Sequence, residues 1–124
     1  MEIDISHLMT MTGGDVELAD EVLDIFRGQS ATWGRMLDAE LPQTQWADAA
    51  HTLKGASLSI GAQEFADACA KVETLGRGEP VSKVIAATHL AELKDGLKDV
   101  LDACAHASYE LSKPGLRSSK AENS

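Results

Sequence analysis

The sequence predicts an all-α fold, specifically an antiparallel up-down-up-down four-helix bundle with a short N-terminal lead-in helix. The chain has 124 residues, of which 44% are hydrophobic, and this is enough for one core and too little for two. Only 4% of the residues are aromatic, and the apolar content is mostly Ala, Leu, Val and Ile, which favours packed helices over a sheet sandwich. Apolar residues also recur at helical spacing in four long segments joined by short loops, which is typical of antiparallel helices.

The first two elements are predicted from a short apolar cluster and a long periodic segment. Ile5, Leu8 and Met9 predict the lead-in helix, which closes one end of the core. Gly13-Gly14-Asp15 predicts a loop followed by a helix N-cap. The long amphipathic first helix of the bundle is then predicted from its recurring residues, which are Leu18, Val22, Ile25, Phe26, Gln29, Trp33, Met36 and Leu37.

Two chain breaks delimit the second and third helices. Leu41-Pro42 precedes the second helix and Gly61 ends it, because proline and glycine interrupt helical periodicity. The third helix stops at Gly76-Arg77-Gly78. The inward stripe of the second helix is Trp46, Ala50, Leu53, Ser57 and Ile60, and that of the third is Ala62, Phe65, Ala66, Cys69, Val72 and Leu75.

The fourth helix is predicted from Val81 to about Tyr109, directly after Pro80. Its apolar positions are Val84, Ile85, Leu90, Leu93, Leu97, Val100, Leu101 and Cys104. After Ser112, the run from Lys113 to Ser124 is polar apart from Leu116 and lacks periodicity. We therefore expect the bundle to span residues 1–111 and residues 112–124 to form a flexible polar tail.

Charge and cysteine content restrict the class of partner. The formal net charge of −9 opposes binding to nucleic acid or to an anionic membrane, so a protein partner is expected. No apolar run is long enough to span a membrane, and the acidic N-terminus is unlike a signal peptide, which predicts a cytoplasmic protein. Cys69 and Cys104 lack disulfide spacing and are expected to be free core thiols, although a disulfide between them is left open.

The segment from His51 to Gly61 places one histidine, one lysine and one glycine on a single helical stripe. Lys54, Gly55 and Leu58 follow His51 at i+3, i+4 and i+7, so all four share one face. Lys54 can neutralise an incoming anion, and Gly55 leaves room beside the ring at a cost of about 1 kcal/mol in helix propensity. Glu73 on the third helix is a candidate to hold the other ring nitrogen, if it lies level with His51. The stripe therefore predicts a site for a phosphoryl group.

The same residues belong to a longer pattern that resembles the histidine-containing phosphotransfer (HPt) domains of two-component phosphorelays. The resemblance includes Ala50-His51-Thr52-Leu53-Lys54-Gly55 and Ile60-Gly61-Ala62. It continues through Phe65-Ala66, Val72-Glu73 and Leu75-Gly76-Arg77. The specific motifs extend over roughly residues 4–77, and the fourth helix matches only by its apolar pattern. Many relatives have glutamine where this chain has Glu73, which leaves the protonation state of the ring open.

The resemblance implies a role for each residue of the site. His51 is the phosphorylated residue, Lys54 its electrostatic partner, Gly55 the clearance site and Glu73 the orienting residue. It implies a phosphocarrier without kinase activity of its own, and the sequence agrees in having no nucleotide-binding loop. The implied partners are receiver domains of response regulators and of hybrid histidine kinases, with Mg²⁺ held by the receiver and no cofactor or metal held by this chain. A monomer is expected.

Docking residues and two alternative functions complete the predictions. Ala47 and Leu58 are candidates for partner contact, and Arg77 either joins Lys54 in a positive patch or is a helix C-terminal charge favoured by the dipole. One alternative is a noncatalytic docking or scaffold bundle that binds receivers; another is the first domain of a chemotaxis-type histidine kinase. A metal site that uses Cys69, Cys104 and His106 is discounted, because the side chains of Cys104 and His106, at i and i+2, diverge on a helix.

Overall fold

A computed structural model describes residues 1–113 and contains five α-helices, with no strand in that range. The helices are α1 (Ile5–Met11), α2 (Val16–Gly34), α3 (Gln43–Ser59), α4 (Gln63–Arg77) and α5 (Lys83–Ser112). The all-α prediction is confirmed, and α1 is the predicted lead-in helix. Within the predicted tail 112–124, Ser112 ends α5, whereas residues 114–124 lie outside the described part of the chain.

Helix α1 is held at one end of the bundle by backbone and capping hydrogen bonds. The Asp4 carboxylate accepts from the backbone N–H of His7 at 3.0 Å, and the backbone N–H of Asp4 donates to the Gly61 carbonyl at 3.0 Å. Gly61 has a φ of +74°, and a Cβ there would lie 2.9 Å from the Asp4 carbonyl oxygen, so glycine is required. Leu8 is fully buried, and α1 therefore closes the core beside the α3–α4 loop as predicted.

Helices α2 to α5 form a ring in which each helix packs against two neighbours. Helix α2 packs against α3 and α5, and α4 packs against the same two helices. The interior of the ring is filled by Phe26, Trp46 and Phe65 together with buried leucines. This arrangement brings α3 and α4 side by side.

The contact between α3 and α4 is close because small residues face each other across it. A Cβ built on Gly76 of α4 would lie 2.7 Å from the Cβ of Ala47 on α3 and 2.7 Å from Cζ3 of Trp46. Such distances are too short for real side chains, so only glycine fits at position 76 in this packing. The two backbones therefore approach closely about one turn away from His51 on α3 and Glu73 on α4.

Helix α2 differs from its prediction at two points. The core face is formed by Val16, Ala19, Leu23 and Phe26, whereas Leu18 and Ile25 of the predicted apolar stripe are exposed. Both sets recur at helical spacing, and periodicity alone did not separate them. The helix also ends at Gly34, before Leu37, which is nevertheless fully buried.

Helix α5 begins two residues later than predicted and exposes its first apolar side chains. Ser82 caps it by accepting a hydrogen bond from the backbone N–H of Ile85 at 3.2 Å. Val84 and Ile85 lie exposed in the first turn, and Ala86 and Leu90 take the inward positions instead. The first two apolar positions that predicted this helix therefore do not face the core.

Both cysteines are free and buried in the described structure. Burial raises the pKa of the Cys69 thiol to about 12 and that of the Cys104 thiol to about 11. Each thiol therefore stays protonated at neutral pH and packs as a small apolar side chain.

Candidate functional site

His51 lies in the middle of α3 and faces outward, with 61% of its side chain exposed. Its Nδ1 atom is 2.8 Å from Oε2 of Glu73 on α4. An ionised carboxylate can only accept a hydrogen bond, so this contact requires the proton on Nδ1. The Nε2 atom of the neutral ring then keeps its lone pair free for a reaction at the surface.

Glu73 joins the histidine to the lysine of the predicted stripe. Its Oε1 atom accepts a hydrogen bond from Nζ of Lys54 at 2.7 Å, while Oε2 accepts from His51. The Lys54 hydrogen bond is the main cause that holds the pKa of the Glu73 carboxyl below its usual range; burial opposes it, and the His51 hydrogen bond adds to it. Glu73 is therefore ionised at neutral pH, as the Nδ1 assignment requires.

A second ion pair lies on the other side of Glu73. Nη2 of Arg77 is 2.7 Å from Oδ1 of Asp48 on α3 and 3.7 Å from Oε2 of Glu73. Arg77 is in the last turn of α4, so both predicted descriptions of it apply in part: it is a helix C-terminal cation, and it also lies beside the site. However, both Lys54 and Arg77 are paired with carboxylates and do not form an uncompensated positive patch.

Gly55 lies one turn after His51 and has open space around it. A Cβ built at this position meets no atom within 4 Å apart from its own helical backbone and sequence neighbours. The folded chain itself therefore gives no packing reason for glycine. The predicted role of Gly55 in clearance remains a prediction, and it concerns groups that approach from outside.

The two predicted docking residues on α3 have opposite environments. Leu58 is 44% exposed and is available for contact with a partner. Ala47 is 0% exposed and lies beneath Gly76, so the prediction that it contacts a partner is wrong. It lies four residues before His51 and shares a side of α3 with it, but the close approach of Gly76 on α4 covers Ala47.

Two features were missed at the sequence level: Asp48 beside the site, and the exposure of the apolar stripe on α2. Asp48 precedes His51 by three residues, and this spacing could have placed it on the same side of α3. The exposed side of α2 carries Leu18 and Ile25, seven residues apart and 43% and 59% exposed. Their spacing matched a helix stripe, but the sequence did not show that this stripe faces outward.

The described residues offer no alternative site around a metal or a membrane helix. Within residues 1–113, no group of three or more His, Cys, Asp or Glu side chains is arranged to hold a metal ion. No helix in that range is long and apolar enough to cross a membrane. The groove between α4 and α5, which includes His89 and Gly96 in its lining, does not include His51. A reaction at His51 would thus occur on an open surface.

Comparisons with known proteins agree on one family. The model of the Hpt domain matches residues 16–105 of the chain. The crystal structure of the histidine phosphotransferase ShpA from Caulobacter crescentus is similar, with a TM-score of 0.71 and 32% sequence identity, over 94% of this chain and 96% of that one. A search of curated proteins found no match. Since the family model covers most of the chain and includes His51, Lys54, Gly55 and Glu73, this chain belongs to the Hpt domain family.

Proposed function

We propose that this chain is a phosphorelay carrier that accepts a phosphoryl group on His51 from a phospho-aspartate of one receiver domain and passes it to another. The observation that carries the proposal is the pairing of an exposed imidazole with the Glu73 carboxylate at 2.8 Å. This contact fixes the proton on Nδ1 and leaves Nε2 as the nucleophile. Membership of the Hpt family and similarity to a histidine phosphotransferase support a carrier role in two-component signalling.

In the proposed reaction, the lone pair of Nε2 forms a bond to phosphorus, and the bond between phosphorus and the aspartyl oxygen breaks. The electron pair of the broken bond stays on the aspartate, and the ring becomes a phosphoimidazolium that retains its Nδ1 proton. Glu73 stabilises that positive ring by accepting from Nδ1–H. In the reverse direction the same proton allows the ring to leave as neutral imidazole.

The remaining site residues serve the phosphoryl group and its donor. Lys54 neutralises charge on the phosphoryl oxygens, and the open space at Gly55 admits the surface of the receiver. We propose that Mg²⁺ is held by the acidic residues of the receiver, and that this chain contributes no metal ligand or cofactor. It therefore carries the group without phosphorylating itself from ATP.

Receiver domains of response regulators and of hybrid histidine kinases are the proposed partners. Leu58 on α3 and the exposed Leu18 and Ile25 on α2 supply apolar contact area, and the charged residues around His51 supply a polar rim. Transfer requires a reversible complex, which favours a modest interface. We propose that a monomer is the functional form, and that helices α2 to α5 run alternately up and down, as the short connections between neighbouring helices favour.

The proposal is tested by incubating the purified chain with phosphorylated receiver domains and Mg²⁺. The native chain should gain an acid-labile, base-stable phosphate, and His51→Gln should gain none. His89→Gln, which changes an exposed histidine on α5, is the matched control and should be labelled like the native chain. Labelling of His51→Gln would contradict the assignment, and receiver binding without any labelling would favour a noncatalytic docking bundle.

A further inference from the structure

In the described structure, the cation expected to meet the phosphoryl group is bound to a carboxylate. Nζ of Lys54 is 2.7 Å from Oε1 of Glu73. A phosphoryl group on Nε2 of His51 would place roughly two negative charges next to this ion pair. Glu73 and the phosphoryl oxygens would then compete for one ammonium group.

Release of Lys54 would leave Glu73 poorly compensated unless another cation replaced it. Only 16% of the Glu73 side chain is exposed, so water screens its charge less than it would at a fully exposed position. Its remaining hydrogen-bond partner is the Nδ1–H group of His51, which bonds to Oε2. The phosphorylated ring is positive, but the phosphoryl group on Nε2 carries about two negative charges that more than offset it. Loss of one charged partner from a partly buried carboxylate has a cost in free energy.

Arg77 is positioned to replace Lys54. Its Nη2 atom is 3.7 Å from Oε2 of Glu73, one helical turn away on the same helix, and it is held nearby by Asp48 at 2.7 Å. A guanidinium group has five N–H donors, so Arg77 can bond to Glu73 while it keeps Asp48. A movement of about 1 Å would convert the contact with Glu73 into a hydrogen bond.

We propose that Arg77 is a positioning residue that takes over Glu73 when the phosphoryl group draws Lys54 away, so that phosphorylation exchanges one ion pair for another. The proposal rests on the proposed function of His51. It makes Arg77 necessary because residue 73 is a glutamate. A neutral glutamine at this position would not need a replacement cation.

A double-mutant cycle on Arg77 and Glu73 tests the exchange. The rate of phosphorylation is measured with phosphoramidate, a small donor, so that docking of a receiver does not enter the result. Arg77→Ala should lower the rate by about fivefold in the native background and by less than about twofold in Glu73→Gln, because coupling energies between neighbouring charged residues reach this size. Arg77→Lys should recover part of the rate, since it retains the charge and loses the fork of donors.

Control measurements separate this role from a structural one. Lys98→Ala removes a positive charge from the exposed side of α5 and should leave the rate unchanged in both backgrounds. Circular dichroism should show the same helicity for all variants. If Arg77→Ala lowers the rate equally in both backgrounds, or not at all, the ion-pair exchange is overturned while His51 phosphorylation stands. If the native chain takes up no phosphoryl group from phosphoramidate or from any receiver, the proposed function is overturned as well.

Discussion

Two glycines, Gly76 in the contact between α3 and α4 and Gly55 on the open surface beside His51, occupy opposite environments. At Gly76 a Cβ would lie 2.7 Å from both Ala47 and Trp46, whereas at Gly55 it would meet nothing within 4 Å. The first glycine is required by the packing of the chain itself. The second lowers helix propensity and contributes no packing inside the fold, which fits the proposed role of Gly55 in admitting a receiver. The close contact at Gly76 brings His51 and Glu73 together, and the open surface at Gly55 leaves His51 accessible.

The largest effect should come from filling the close contact. Gly76→Ala should destabilise the protein by about 1–3 kcal/mol, because an added methyl group forces α3 and α4 apart. The separation should also lengthen the 2.8 Å contact between His51 and Glu73. Urea unfolding measures the first effect, and the NMR signal of the Nδ1 proton reports the second.

Ala47→Gly supplies a control for Gly76→Ala. The double variant should recover only part of the stability lost through Gly76→Ala, since the Trp46 ring is as close to the added methyl group as Ala47 is. If Gly76→Ala alone is as stable as the native chain, the contact between α3 and α4 has room for a methyl group, as the surface at Gly55 does.

The next effect concerns the exposed apolar side of α2. Ile25→Ser should slow transfer from a phosphorylated receiver by about tenfold, which corresponds to about 1.4 kcal/mol of lost apolar contact. Its stability and its phosphorylation by phosphoramidate should remain native, because Ile25 is exposed. Val84→Ser alters a comparably exposed residue on α5 and serves as the matched control. Equal transfer rates for Ile25→Ser and Val84→Ser would show that Ile25 on α2 is not part of the docking surface.

A smaller effect, of opposite sign, is expected at Gly55. Gly55→Ala should stabilise the protein by about 0.5–1 kcal/mol, because alanine favours the helix and has free space here. Gly55→Leu should also fold, yet it should accept phosphate slowly from a receiver and normally from phosphoramidate. If the leucine variant reacts at the native rate with both donors, clearance is not the role of Gly55.

The smallest effect is a pH dependence of stability that arises at Glu73. Its carboxyl pKa is lower in the folded chain than in the unfolded one, so Glu73 stabilises the fold at neutral pH. The unfolded chain has a glutamate pKa of about 4.3, so this contribution begins to be lost at about pH 5. The loss is complete once the pH has fallen through the lower pKa that Glu73 has in the folded chain. Unfolding free energies of Glu73→Gln should therefore fall less steeply with acid than those of the native chain. Parallel curves for the two proteins would show that the ion pairs of Glu73 contribute little.

Local spacing was sufficient for the helices and for the stripe of His51, Lys54 and Gly55, because helical periodicity alone determines which neighbours share a face. The contact between His51 and Glu73 depends on how α3 and α4 are aligned along their axes. The sequence does not give this alignment, so Glu73 could be named as a partner only if it lay level with His51. Ala47 was misplaced because its position near His51 in the chain did not show that the close approach of Gly76 buries it.

Contacts between side chains on different helices, and the choice of which helix face is buried, were the least predictable features. The ion pair of Asp48 and Arg77 links two helices, and neither residue alone indicates it. On α2, two apolar stripes had similar periodicity, and only packing against α3 and α5 decided that Leu18 and Ile25 face outward. Such choices depend on the assembled bundle rather than on the local sequence.

The most direct test of the central claim is NMR of the His51 ring with ¹⁵N labelling, before and after phosphorylation by a receiver. We predict a neutral ring with its proton on Nδ1 before the reaction, and a phosphorus coupled to Nε2 with the Nδ1 proton retained afterwards. A proton on Nε2 in the resting chain, or phosphorus on Nδ1 or on another residue, would contradict the account.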